Sequence, residues 1–546
     1  MKRKAVAAVL TAVMVASMFT GCGSDNGSSS AKSASAASAA SAANDTVDED
    51  GKVNGIMYQE GLPLVDEGDY TFSIFCDDSS ESGEFIMLDE FKKQTNVDVD
   101  LKIYPYETAT ERLNLDLNSG DYADVIGGWT LSDNAILTYG VNQGVFIPLE
   151  DYFEKYCPNI SAILDLPGVR EKMTAPDGHI YTIPYVCGDT TVGYSPYINT
   201  KWLENVGMSM PTTTDEFEAV LKAFKEQDAN GNGDASDEIP FSTDPNNKHI
   251  EAMAGYFGLP MNKLGIAIQN EKVVYGGVSD TYREFLSWFH KLYAEGLVDV
   301  ELYTQDSSTW EGKGNQDLYG VSIAYGSNEF TGIPAAEERG DFDSMPVLNT
   351  DKGGIWLRDT EGFSVYRTQA VITNKAEHPE IICRWFDNAF ALENGIGCNR
   401  GPVGVIVNKE DDGYHAIDTT TLSEEDQEKY SWGNLWPQSL PKYLPADFEF
   451  VEEHPMYDEK KATEEAYEAN LTKEIIPSYW IDLDKIDTFS DTNTAIKDFF
   501  EQQQAQFVCG ELDIDNDADW QAYVDGMYSL GLEDWVATQG IEEIAK

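Results

Sequence analysis

The densest set of ligating side chains is the run Asp228 to Pro240, Asp-Ala-Asn-Gly-Asn-Gly-Asp-Ala-Ser-Asp-Glu-Ile-Pro. Oxygen-bearing side chains alternate at Asp228, Asn230, Asn232, Asp234 and Ser236, and Asp237 and Glu238 close the run. Gly231 and Gly233 let the backbone turn tightly between them, because glycine tolerates positive φ. A hard cation takes roughly six to eight oxygens from carboxylates, amides and main-chain carbonyls. Asp228, Asn230, Asn232, Asp234, Asp237 and Glu238 are the candidate ligands for such an ion.

The spacing resembles the first half of an EF-hand loop, whose sixth position is also glycine, here Gly233. It departs at the twelfth position, which is Ile239, so the closing carboxylates would be Asp237 and Glu238. Two readings fit these residues: a structural calcium site, and a polar turn that binds nothing. The flanks favour the first. Pro211 and the cluster Thr212 to Asp215 predict a helix start, and Phe217, Val220, Leu221 and Phe224 follow at helical spacing. The run therefore joins an amphipathic helix to the short apolar segment Ile239-Pro240-Phe241.

The block Tyr194 to Ser242 resembles the extracellular solute-binding protein family 1, the sugar-binding lipoproteins of ABC importers. It is most similar to the large members with a calcium loop, such as the alginate-binding proteins. Further blocks carry the likeness. Asp177-Gly178-His179-Ile180-Tyr181-Thr182-Ile183-Pro184-Tyr185 matches the family's Asp-Gly-x-x-Tyr-x-x-Pro segment, His378-Pro379-Glu380 its Asn-Pro-Glu helix start with His for Asn, and residues 485–535 its closing signature. The resemblance implies a two-lobed α/β fold of the periplasmic-binding-protein type, with a hinge and discontinuous lobes. One lobe is expected over 66–195 and 360–430, the other, with the calcium loop, over 196–359 and 431–546. It implies an oligosaccharide ligand, an ABC permease as partner, and no enzymatic activity.

The ends of the chain fit export. Lys2, Arg3 and Lys4 precede an apolar stretch, Ala5 to Met18, too short to span a bilayer. Phe19-Thr20-Gly21-Cys22 resembles the bacterial lipobox, so residues 1–21 read as a lipoprotein signal peptide and Cys22 as the lipidated first residue. A Ser/Ala/Gly-rich tether is expected over 22–60. This places the protein on the extracellular face of the bacterial cytoplasmic membrane, held by lipid and expected as a monomer. The net charge of -59 repels nucleic acid and anionic surfaces and favours a neutral glycan over a uronate. The seven cysteines contain no Cys-x-x-Cys pair, and buried free thiols are expected of the six beyond Cys22.

In the body, Tyr70 to Phe75 and Val97 to Tyr104 alternate as strands, Glu84 to Gln94 and Glu111 to Leu117 read as helices, and Ala123 to Ile126 as a short buried strand. This βαβαβ order predicts a parallel sheet with a ligand at the carboxyl ends of its strands. Trp129, after Gly127 and Gly128, stands beyond such an end, with Asp133 close by, and fits either a core ring or a stacking platform; the resemblance implies the platform. Tyr185, Asp189 and Tyr325 are expected in the cleft, Trp356 joins them, and Trp432 and Trp436, in a loop from Lys409 to Pro445, fit either an aromatic clamp or two rings that pin the loop down. A secreted carbohydrate-active enzyme and a surface glycan adhesin are the alternatives. The first needs a pair of carboxylates about a glycosidic bond, and the sequence has no Gly-x-Ser-x-Gly, no His-Glu-x-x-His and no clustered histidines.

Overall fold

The structure, a computed structural model, describes residues 45–78, 83–244, 249–332, 340–451 and 455–545. The expected signal peptide, Cys22 and most of the expected tether lie outside the described residues. The last part of that tether is not a tether. Strands β1 (Lys52–Val53) and β2 (Met57–Tyr58) form a hairpin. Val53 and Met57 are fully buried on the main body, and Asp45 accepts a hydrogen bond from the Tyr156 hydroxyl at 2.8 Å. These apolar anchors, interspersed among polar residues, fasten residues 45–60 to the body.

The first sheet combines β3 (Tyr70–Asp77), β4 (Val97–Tyr104), β5 (Val125–Gly127), β6 (Thr182–Gly188) and β13 (Phe363–Ile372) in the order β4-β3-β5-β13-β6. As the βαβαβ pattern predicts, β3 pairs in parallel with both β4 and β5. The late strand β13 inserts antiparallel between β5 and β6. Its register shifts between Tyr366 and Ala370, a bulge that re-aims the side chains between them.

The second sheet holds β7 (Ser195–Asn199), β8 (Ile239–Thr243), β11 (Tyr319–Ala324) and β12 (Phe342–Ser344) in the order β12-β7-β11-β8, with β8 and β11 parallel. A third, smaller sheet joins β9 (Ile266–Gln269), β10 (Lys272–Tyr275) and β16 (Glu543–Ile544). The hairpin of β14 (Val407–Glu410) and β15 (Gly413–Ala416) and the short helix Glu424–Lys429 occupy part of the segment expected to be a loop.

Hydrophobic packing follows the two main sheets. Phe72, Ile74, Phe91, Ile183, Ile372, Trp385 and Trp436 share a core on the first. Its other face is closed by Phe75, Leu113, Ile126, Ile136 and Ile486. A separate core gathers Ile198, Trp202, Phe217, Phe224, Phe241, Phe285, Val321, Trp356, Phe507 and Trp535 about the second. Residues near 436–444 pack with the first sheet, although that stretch was expected in the second lobe. The helix Thr214–Glu226 buries Phe217, Val220, Leu221 and Phe224 as its spacing predicts. The Thr213 hydroxyl caps it by accepting from the Glu216 amide, and the Glu216 carboxylate accepts from Thr212 in return.

The six described cysteines are free; Cys76, Cys157, Cys383 and Cys398 are buried, Cys187 is half-buried and Cys509 is exposed. Among the described residues, no helix is long and apolar enough to cross a membrane.

Candidate functional site

Trp129 is held where the sequence places it, by a device the sequence did not reveal. The carboxylate of Asp77, the last residue of β3, accepts from the amides of Trp129 at 2.9 Å and Thr130 at 2.6 Å. Gly128 sits at φ +140°, and a Cβ there would stand 2.3–2.6 Å from the Asp77 carboxylate atoms. Only glycine allows that approach, so Asp77 and Gly128 together turn Trp129 outward at the carboxyl ends of β3 and β5, where it remains 44% exposed.

Two tyrosines extend the platform. Tyr366 lies edge-on to Trp129, with ring centroids 5.4 Å apart, and stacks on Tyr185, its register partner across β13 and β6, also at 5.4 Å. Beside them the Asp189 carboxylate accepts from three hydroxyls: Ser364 at 2.5 Å, Tyr366 at 3.1 Å and Tyr325 at 3.0 Å. Tyr325 follows β11 of the second sheet, so Asp189 is hydrogen-bonded from both sheets. Tyr194 adds a further ring edge-on to Tyr325 and stacks at 3.9 Å on His249, whose imidazole burial pushes down to about 4 and keeps neutral.

Two lysines, Lys442 buried and Lys460 half-buried, back these rings. Lys442 Nζ lies 5.0 Å from the Tyr185 centroid and 5.9 Å from that of Trp432, and donates to Gln438 Oε1 at 2.8 Å. Lys460 Nζ lies 3.5 Å from the Tyr325 centroid and donates to the Gly193 carbonyl. Burial pushes both ammonium groups down to about 8.

The strands enter this region through residues 189–194 and 357–362, which bind each other. Asp189 N donates to the Gly362 carbonyl, Asp359 N to that of Thr191, and Gly193 N to Asp359 Oδ2. The helix Pro455–Tyr467 lies against them: Glu464 accepts from the Thr191 amide at 2.6 Å and Glu459 from the Ser327 amide at 2.9 Å.

Of the residues expected at the site, Trp129, Tyr185, Asp189, Tyr325 and Trp432 belong to this constellation, with Trp432 56% exposed at its edge. Three do not. Trp356 is 1% exposed, packed between Tyr256 and Tyr467 in the core of the second sheet. Trp436 is fully buried, stacked on Trp385 and tilted against Phe91, so it forms no clamp with Trp432. Large aromatic rings gain much by burial, whatever the pattern of the segment that carries them. Asp133 is engaged by Arg367, which grips both its oxygens, at 2.8 Å from Nε and 2.5 Å from Nη2.

Tyr366, Ser364, Lys442, Lys460 and Asp77 were not anticipated. The bulge in β13 breaks the alternation that would have marked Tyr366, and no local pattern marks a buried lysine.

The acidic run forms a chain of side-chain turns. Asn230 Oδ1 accepts from Asn232 N, Asn232 Oδ1 from Asp234 N, and Asp234 Oδ1 from Ser236 N. Asp228 Oδ2 accepts from Gly233 N, and Glu238 Oε1 from Ala229 N. The amide nitrogens of Asn230 and Asn232 both approach Asp237, at 3.4 and 2.7 Å. Asp228 Oδ1 and Glu238 Oε2 are buried without a hydrogen-bond partner, and desolvation raises the Glu238 carboxyl. Two buried carboxylate oxygens without donors, beside a third carboxylate and two reversible amides, suit a cation. Asp234 instead turns to Ser236, from whose hydroxyl it also accepts at 2.6 Å. The loop leads into the amino end of β8, whereas Tyr325 follows the carboxyl end of the parallel strand β11; loop and aromatic site lie at opposite ends of the second sheet.

The model of the bacterial extracellular solute-binding protein family matches residues 78–395. The chain belongs to that family. Its relatives include the fructooligosaccharide ABC transporter substrate-binding protein FusA of Streptococcus pneumoniae, 32% identical over 411 residues, which are 73% of this chain and 70% of FusA. Lipoprotein LipO of Bacillus subtilis is 28% identical over 280 residues, 50% of this chain and 52% of LipO. The structure matches that of FusA in complex with kestose with a TM-score of 0.74 and 27% identity, over 86% of this chain and 98% of FusA. A FusA EF-hand mutant in complex with fructo-nystose matches at 0.73, with the same identity and coverage. The family is one of solute-binding proteins, which resolves the enzyme alternative against catalysis.

Proposed function

We propose that this solute-binding protein captures a neutral oligosaccharide between two lobes built on the two main sheets, and presents it to an ABC permease. The observation that carries the reading is the corner of Trp129, Tyr366 and Tyr185 beside the Asp189 carboxylate. Sugar rings have apolar C–H faces that suit aromatic rings and hydroxyls that donate to a carboxylate. The hydroxyls of Ser364, Tyr366 and Tyr325 on Asp189 stand where sugar hydroxyls would compete. Asp189 at the centre disfavours an acidic sugar, as does the net charge of -59. The relation to FusA, named for fructooligosaccharides, supports the class of ligand. A ligand touching both sheets would favour a closed arrangement over an open one.

The acidic loop would hold calcium through Asp228, Asn230, Asn232, Asp237 and Glu238, giving the orphaned carboxylate oxygens a partner and fixing the entry to β8. Cys22 would carry the lipid anchor, a reading supported by the lipoprotein signal and by the relation to LipO. The protein would work as a monomer on the outer face of the cytoplasmic membrane.

Calorimetric titration with kestose and a panel of neutral and uronate oligosaccharides tests the proposal. Saturable one-to-one binding of a neutral member, with the sugar recovered uncleaved, is expected. Binding of uronates alone, or of no glycan, would refute it.

A further inference from the structure

The helix Ile486–Cys509 belongs to both hydrophobic bodies. Ile486 is buried in the cluster on the first sheet, with Trp480, Ile481 and Leu483 packed against it. Ile496, Phe500, Phe507 and Val508 belong to the core of the second, and Phe489 packs on its edge. The helix has 24 residues, a length of about 36 Å. It passes from one body to the other between Ile486 and Phe489, within a single turn. A hydrogen-bonded helix does not stretch or bend sharply without a proline or a similar break, and the sequence from 486 to 509 contains no proline. Movement between the two bodies is then absorbed where the helix begins, at residues 481–482 and the turn Leu483–Lys485, with Ile486 sliding on the first cluster as the helix turns.

The residues just before that turn are fastened to the first sheet. Arg367, 6% exposed, holds Asp133 with two bonds and donates from Nη2 to the Tyr479 carbonyl at 2.9 Å. Its guanidinium lies 4.0 Å from the Trp480 ring centroid. Trp480 Nε1 donates to the Lys172 carbonyl at 3.0 Å, which Arg367 Nη1 also approaches at 3.4 Å. A planar fork that binds a carboxylate, a carbonyl and an aromatic face together is beyond the reach of lysine. Arg367 also follows Tyr366 directly, at the start of the β13 bulge. The side chain that would meet the sugar and the side chain that fastens the long helix are neighbours in sequence.

The geometry points to Arg367 as a positioning residue for lobe closure: it clamps residues 479 and 480 to the first sheet, places the pivot at 481–485, and couples that pivot to Tyr366. The inference rests on the two-lobe, sugar-capturing reading above.

Hydrogen exchange on the full mature chain, without sugar, tests the clamp in Arg367→Lys, with Trp480→Leu as a second variant that keeps an apolar side chain. Exchange at 481–490 is expected to speed up about tenfold, the effect of losing charge-assisted hydrogen bonds. Strand β3 and residues 500–508 are expected to be unchanged. Unchanged exchange at 481–490 in both variants, or equal acceleration through β3, which would signal general loosening, overturns the proposal. Added kestose is expected to protect 481–490 in the wild type and several-fold less in Arg367→Lys. Equal protection in both overturns the coupling to the pivot. If kestose and the glycan panel bind neither protein, the sugar reading fails, while the sugar-free comparison still decides the clamp.

Discussion

At the scale of single residues, Trp129 and Lys442 make separable forecasts. Trp129 is 44% exposed and held by backbone bonds to Asp77, so its ring contributes little to the core. Trp129→Ala is expected to weaken oligosaccharide binding by roughly 5- to 150-fold, the equivalent of about 1–3 kcal/mol, with a melting temperature close to wild type. A large fall in melting temperature with normal affinity would make it a structural ring. Lys442 is 1% exposed, and burial pushes its ammonium down to about 8, against the pull of Cys398, Cys187 and Asp78 and with the push of Arg400. The folded-state value lies below that of the unfolded chain. The cost of burying the charge is therefore fully present below about pH 8 and is relieved as pH rises toward the unfolded value, because the unfolded chain then holds more protons. Between about pH 7 and about pH 9.5 the wild type should gain on the order of 2 kcal/mol relative to Lys442→Met. Urea unfolding at the two pH values measures it; parallel pH profiles of the two proteins would show that burial does not depress the Lys442 ammonium.

At the scale of elements, the acidic loop proposed to hold calcium joins the helix Thr214–Glu226 to the strand Ile239–Thr243. Added calcium should raise the melting temperature of chelator-stripped protein, by about 2.7 kcal/mol of stabilisation when free calcium is a hundredfold above Kd. Thermal denaturation of wild type beside an Asp228→Ala, Glu238→Ala double variant measures it, and an equal shift in both would exclude the loop. The elements were largely legible where one local pattern decided them. Val97–Tyr104 alternates along its whole length and is β4; Phe217, Val220, Leu221 and Phe224 share one face and bury it. Trp129 and Tyr325 could be placed because the carboxyl end of a parallel strand is fixed by topology. Partners remote in sequence were not legible. Asp133 looked free because Arg367 lies 234 positions away. Trp356 and Trp436 looked like ligand rings because an aperiodic segment does not say which side of it meets the core. Tyr366 was hidden by a bulge that alternation cannot foresee.

At the scale of the whole molecule, the proposed lipid anchor at Cys22 would hold an acidic chain without relying on charge. Cys22→Ser is expected to release the protein from the cell envelope into the medium, scored by fractionation; retention at the wild-type level would point to another anchor. The order of the first sheet has a different consequence, one that concerns how the molecule is made. Strand β13 lies between β5 and β6, yet it is synthesised after the entire second sheet. Until it emerges, β5 and β6 each present an unpaired edge of buried, apolar strand, the kind of surface on which chains aggregate. The first sheet closes only through a pairing distant in sequence, and such pairings form slowly. The nascent chain thus passes through a long interval in which its first half is complete in sequence and open in structure. A chaperone that shields strand edges would act in that interval, before Phe363–Ile372 arrives.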